Sequence, residues 1–166
     1  MLVASAQGVA QATPLSSPKP LFRYVALVRD TVFLGEPIGR VARFGLDQRD
    51  SVVVVPIGQF GGADAIHIYR NAADTVTAVH FYYGARHNID KLQAGFAAEF
   101  GDPTGTHQDS VAGVVRRTWS WTDGPTELTV IGFAPLLDGM VGAVIMRDRL
   151  RSAPWLTVLG ADGRLR

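Results

Sequence analysis

The chain has 166 residues, 47% of them hydrophobic and 19% charged, with a formal net charge of +1 and no cysteine. A chain of this length suits one domain that buries about 70% of the surface its unfolded form exposes, so neither a metal nor a disulfide is needed for stability. The composition excludes a disordered chain, a polycation built for nucleic acid, a thiol nucleophile and a thiolate metal site. Uncharged interior runs such as Ser51–Ala63 are broken by glycine and proline. They fall short of the roughly 20 apolar residues a membrane helix needs, so no membrane insertion is expected.

Residues 1–18 are uncharged and rich in Ala, Ser, Gln and Pro. Ala10-Gln11-Ala12 has the small-x-small form of a signal-peptidase site, after Ala/Val-rich residues that resemble the end of an apolar h-region. Residues 1–20 therefore read as a signal-peptide remnant or a flexible tail, and 21–166 as a single α+β domain. The first alternative places the protein in a bacterial periplasm or outside the cell.

Leu21–Asp30 mixes apolar and basic residues; Tyr24, Val25 and Val28 favour a strand over a short helix. Gly35–Gly45 reads as a short helix, with Pro37 near its first position and Ile38, Val41 and Phe44 on one stripe. Three strands are expected at Val52–Ile57, Ala65–Arg70 and Thr75–Tyr83, with Asn71–Asp74 as the turn between the last two. Asn88–Pro103 is the clearest element. Asn88 is an N-cap and Asp90 a favourable first-turn charge, while Ile89, Leu92, Phe96 and Phe100 form one apolar stripe. Gly101 and Pro103 stop it. A polar loop at Thr104–Gly113 is followed by strands at Val114–Thr122, Glu127–Phe133 and Val141–Arg147, with Asp123-Gly124-Pro125 a turn. A last strand is expected at Trp155–Leu159.

These elements form a possible tandem α-βββ repeat, and predict an α+β fold: an antiparallel sheet of about six to eight strands with two short helices on one face. The two helices end alike, in Arg43-Phe44-Gly45-Leu46-Asp47 and Glu99-Phe100-Gly101-Asp102-Pro103, and the second precedes a strand carrying Trp119 and Trp121. Over roughly Gly35–Arg147 this resembles the tandem helix-plus-sheet fold of the beta-lactamase inhibitor proteins and of outer-membrane assembly lipoproteins of the small protein A type. The resemblance implies a non-catalytic, protein-binding module. The absence of cysteine departs from the lipoprotein members and their lipid anchor.

Strand alternation sorts the side chains. Val79, Phe81 and Tyr83 share a face with Ile66 and Ile68, the face the helices should cover. His67, Tyr69, His80 and Tyr82 then share the open face. A turn pairing Arg70 with Thr75 sets His67 opposite Ala78 and diagonal to His80. Such amphipathic rings fit an ordinary half-solvated sheet face, or a patch that binds an unknown protein partner. Two imidazoles without a third ligand do not make a metal site. Trp119 and Trp121 should face Val130 and Leu128 and pack on Phe96 and Phe100.

No P-loop, nucleophile elbow, HExxH or EF-hand pattern is present, and Ser110, His107 and Asp109 crowd one segment in poor triad geometry. No cofactor and no catalytic residue is expected. The sequence thus points to an exported binding module working through His67, Tyr69, His80 and Tyr82. The alternative is a small-ligand-binding protein or small enzyme with a pocket between sheet and helices, where Tyr83 or Arg86 contacts the ligand.

Overall fold

The computed structural model describes residues 19–27, 30–39, 41, 47–49, 51–55 and 62–152. The signal-like residues 1–18 and the expected last strand at 155–159 lie outside this set. Ten strands run in chain order: β1 (Tyr24–Ala26), β2 (Thr31–Phe33), β3 (Asp47–Arg49), β4 (Val52–Val55), β5 (Ala65–Arg70), β6 (Val76–Gly84), β7 (Gly105–Val111), β8 (Val114–Thr122), β9 (Thr126–Leu137) and β10 (Met140–Asp148). The helix α1 (Ile89–Phe100) lies between β6 and β7. β1 and β2 form a small hairpin, and the other eight strands make one sheet in the order β3-β4-β5-β6-β10-β9-β8-β7. All its pairs are antiparallel.

The expected two-helix α+β architecture is therefore corrected to a sheet-dominated fold with one helix among the described residues. Of the expected helix Gly35–Gly45, residues 35–39 and 41 are described: 35–39 form a turn with an isolated bridge between Pro37 and Thr75, and only Val41 is helical. Gly35 and Gly39 both have positive φ, which a right-handed helix cannot accommodate. The backbone is tied instead to the start of β6: Gly35 N donates to Val76 O, Val76 N to Glu36 O and Ile38 N to Asp74 O. Ile38 and Val41 are buried as their spacing implied. Ile38 reaches the core from a non-helical segment tied along the start of β6. Residues 42–46 lie outside the described set. Among the described residues the α-βββ unit does not recur. What recurs is a four-stranded meander, β3 to β6 and β7 to β10, the two meeting where β6 pairs β10.

The expected polar loop is also corrected, because 105–111 is the edge strand β7. Its mostly exposed side chains show no apolar alternation. The signal that finds it is the turn: Ala112 and Gly113 both have positive φ, as a two-residue hairpin loop requires, and Val111 pairs Val114. Asp138-Gly139 joins β9 to β10 in the same way.

One sheet face carries the main core, built from Ile66, Ile68, Val79, Phe81, Leu128, Val130, Val144 and Met146. The β1–β2 hairpin adds Val25, Val32 and Leu34, and α1 adds Ile89 and Phe100. Trp121 and Trp119 stand opposite Leu128 and Val130. Trp121 packs on Phe96 with ring centroids 6.2 Å apart and donates from Nε1 to Gly101 O at 2.8 Å, which fixes the end of α1. Its start is fixed by Asn88, whose side chain accepts from Lys91 N, and by a socket in the sheet. Gly142 and Gly132 are cross-strand partners at a bulge in β10. A Cβ on Gly142 would lie 2.8 Å from Ile89 and 2.2 Å from Ile131 O, so only glycine lets Ile89 approach.

Candidate functional site

A pocket of about 290 Å³ lies on the main-core face between the hairpin, α1 and the sheet. The hairpin strand and the residues before it supply Phe22, Tyr24, Val25 and Ala26; the sheet supplies Phe81, Tyr83, Leu128, Val144 and Met146; α1 supplies Phe96. The lining is apolar except for two phenol groups. Alternation places Phe81 and Tyr83 on this face, Val144 and Met146 follow from β10, and Phe96 follows from the helical stripe. The hairpin wall is latched from its outer end. Leu21 N donates to Asp123 Oδ2 at 2.8 Å, Arg23 Nη1 to Thr126 Oγ1 at 2.8 Å, and Arg23 Nη2 to Asp148 Oδ2 at 2.7 Å. Asp148 is fully buried and also accepts from Arg151 and from Leu150 N. Burial works against its charge, but these donors outweigh that cost and hold its carboxyl below the usual range.

At Tyr83 the apolar lining meets a polar cluster. The Tyr83 and His87 rings pack edge to face, 5.2 Å apart. His87 Nε2 lies 3.0 Å from Asp64 Oδ2 and 3.2 Å from Arg86 Nε. Asp64 Oδ2 accepts Gly84 N at 2.6 Å, and Arg86 Nη2 pairs with Asp64 Oδ1. The Gly84 amide, then the charges of Arg86 and His87, keep the Asp64 carboxyl below its ordinary range. Burial, and then the charge of Asp64, push the Tyr83 hydroxyl up to about 12, so it remains a donor at any physiological pH. Sequence spacing shows neither grouping, because Asp64 reaches Gly84, Arg86 and His87 only through the β5–β6 register and the turn after β6.

His67, Tyr69, His80 and Tyr82 do share the opposite face, as alternation requires. The register is not the expected one: His67 pairs directly with His80, and Tyr69 with Ala78. Thr77 is the extra residue, bulged between the Tyr69–Ala78 and Arg70–Val76 pairs, and its Oγ1 donates to Tyr69 O. Nor is the face open at this point. His80 is 0% and Tyr82 3% exposed, and Tyr82 belongs to a second apolar cluster with Val114, Ile131, Phe133, Leu137, Ala143 and Ile145. The Tyr69 and His80 rings are 4.1 Å apart, and His67 and Tyr82 4.8 Å. Burial, and then the neighbouring His67, take the His80 imidazole down to about 3. Burial and the contact with Tyr69 push the Tyr82 hydroxyl well above the usual phenol range.

A shallower depression of about 250 Å³ at the β7 edge is lined by Thr106, His107, Gln108, Arg117, Thr118 and Trp119. Arg117 lies over the Trp119 ring, 5.3 Å from its centroid, and pairs with Asp90, so the indole is capped by its own neighbour. Asp109 is bound by the Arg116 guanidinium, which holds its carboxyl low, and His107 Nε2 is 3.7 Å away. No group of three His, Asp or Glu side chains that could hold a metal occurs among the described residues. No helix among them is long and apolar enough to cross a membrane. Neither protein-family models nor curated proteins nor solved structures match this chain.

Proposed function

We propose that the protein binds a small, largely apolar molecule in the pocket between the sheet, α1 and the β1–β2 hairpin. The observation that carries this reading is a cavity of about 290 Å³ with an almost wholly apolar wall, broken by the phenols of Tyr24 and Tyr83. Its volume is at the lower end of the roughly 300–1,000 Å³ of ordinary ligand pockets, and an apolar wall with a few polar groups at one end is the usual form of such sites. Burial of the guest's apolar surface supplies the affinity, at about 25 cal/mol per Å² before the costs of association. The competing use of His67, Tyr69, His80 and Tyr82 as a protein-docking patch draws less support, because two of the four rings are buried.

The test is titration with N-phenyl-1-naphthylamine, a neutral probe that fluoresces in apolar surroundings. The wild type is expected to enhance its emission saturably. Ala26→Trp, which fills the pocket from the exposed hairpin, is expected to abolish the enhancement with little change in melting temperature. Equal enhancement by wild type and variant sinks the proposal, as does no enhancement by wild type.

A further inference from the structure

We propose that the guest of this pocket is a small neutral aromatic compound, selected over a saturated one of the same size by the rings of the wall; this rests on the pocket being the binding site. Half of the lining residues are aromatic, and they come from all three elements that enclose the cavity: Phe22 and Tyr24 from the hairpin side, Phe81 and Tyr83 from β6, and Phe96 from α1. Two of these rings are set at a steep mutual angle by a third, Phe100, that is not part of the wall. Phe96 is stacked on Phe100, with centroids 6.3 Å apart and 14° between the planes. Phe22 meets the same Phe100 edge-on, at 5.1 Å and 75°. Phe22 therefore stands steeply to Phe96. A planar guest lying parallel to Phe96 meets Phe22 edge to face, so it makes both of the arrangements that aromatic quadrupoles favour.

A saturated ring has no such quadrupole and gains only from the burial of its surface. Each favourable ring pair multiplies affinity about two- to tenfold beyond what buried area supplies. The wall also decides against charge, because no lining residue carries one. Its only polar side chains are the two tyrosines, and the Tyr83 hydroxyl stays protonated at physiological pH. A charged guest would give up its hydration with no counter-charge in the wall, and an ammonium would have ring faces as its sole compensation. The volume, at the lower end of ordinary ligand pockets, suits one or two rings. The ligand class is thus a one- or two-ring arene with an uncharged substituent. No bond is made or broken.

Two alcohols that differ only in the ring, 2-phenylethanol and 2-cyclohexylethanol, separate the pocket from the ring assignment, measured by displacement of N-phenyl-1-naphthylamine from the full chain. 2-Phenylethylamine serves as the cationic counterpart. Burial alone favours the cyclohexyl compound, which has the larger apolar surface, so a preference for the arene isolates the ring contacts. 2-Phenylethanol is expected to bind at least about threefold more tightly than 2-cyclohexylethanol, and 2-phenylethylamine more weakly than 2-phenylethanol. Phe22→Leu and Phe96→Leu keep the wall apolar; Phe22 is 43% exposed, so its replacement is expected to fold normally. Each should reduce the preference, and the double variant should abolish it while leaving 2-cyclohexylethanol within about twofold of its wild-type affinity. If the two alcohols bind the wild type alike, or if neither single variant lowers the preference, the ring assignment is wrong and the pocket stands. If 2-phenylethylamine binds as tightly as 2-phenylethanol, the neutral class is wrong. If neither alcohol displaces the naphthylamine probe, the guest class is overturned, and saturable binding of the probe itself decides whether the pocket is a site.

Discussion

His80 sits fully buried with His67 directly across the β5–β6 pair and its Nδ1 3.3 Å from the Tyr82 hydroxyl. With the native imidazole held down to about 3, protonation favours the unfolded chain, whose histidine titrates near 6.5. The stabilising effect of keeping it neutral is therefore complete above about pH 6.5 and is lost as pH falls from there toward 3, at about 1.4 kcal/mol per pH unit. Urea unfolding between pH 7.5 and 4.5 should show this slope in the wild type and lose most of it in His80→Gln. An unchanged slope in the variant would mean that another group carries the acid sensitivity. The shared face of these rings was legible from period-two alternation, whereas their burial and exact partners were not. A bulge at Thr77 moves the register, and no pattern of apolar residues marks a bulge that leaves each ring on its own face.

The β1–β2 hairpin has only three residues per strand and pairs with no other strand among the described residues. Its place over the pocket depends on its core residues and on the latch from Arg23 to Thr126 and Asp148. Asp148 is buried, but its two guanidinium partners are partly exposed and stay solvated without it, so its removal costs the lost charge-assisted hydrogen bonds, about 1.5–3 kcal/mol. Asp148→Ala should lower stability by that order in denaturant titration. Arg23, a third exposed, should cost less on replacement by Ala, yet should weaken naphthylamine binding because the pocket wall is loosened. Stability loss without weaker binding in both variants would show that the hairpin's core contacts alone set the wall. Among the elements, α1 was readable end to end, since its cap, stripe and stop are all local signals. The hairpin was not, because Leu21–Phe33 carries no turn signature as strong as Asp123-Gly124-Pro125. The Gly35–Gly45 stripe misled over its first half for a physical reason: Ile38 is delivered to the core by a turn bonded along the start of β6 and not by a helix.

On the scale of the molecule, β6 and β10 lie at the centre of the sheet with strands on both sides, while β7 ends it. Most of β6 and β10 is buried and most of β7 exposed. Opening free energies should follow this order, so native-state hydrogen exchange is expected to be slowest in β6 and β10 and fastest in β7. Uniform protection across these strands would contradict it. The polar sequence of β7, with Asp109 and Arg116 paired across the last two strands, also blunts an edge that could otherwise recruit another chain. Six of the eight strands of the large sheet lie where alternation and turn residues allow a sequence-based guess; β7 and the short β3 do not. Their order does not, since β6 meets β10 across a long stretch of chain and no local signal announces a long-range pair.

The covalent crossover from the first meander to the second begins at Gly84 and runs through Arg86, His87 and α1. Ile89, seated between Gly132 and Gly142, anchors that crossover to the second meander, while Asp64 anchors it to the first. A guest in the pocket, against Phe81, Phe96, Val144 and Met146, would touch both halves and the strap between them. Occupancy would then act as a rivet across the joint, making the two meanders unfold together rather than one after the other.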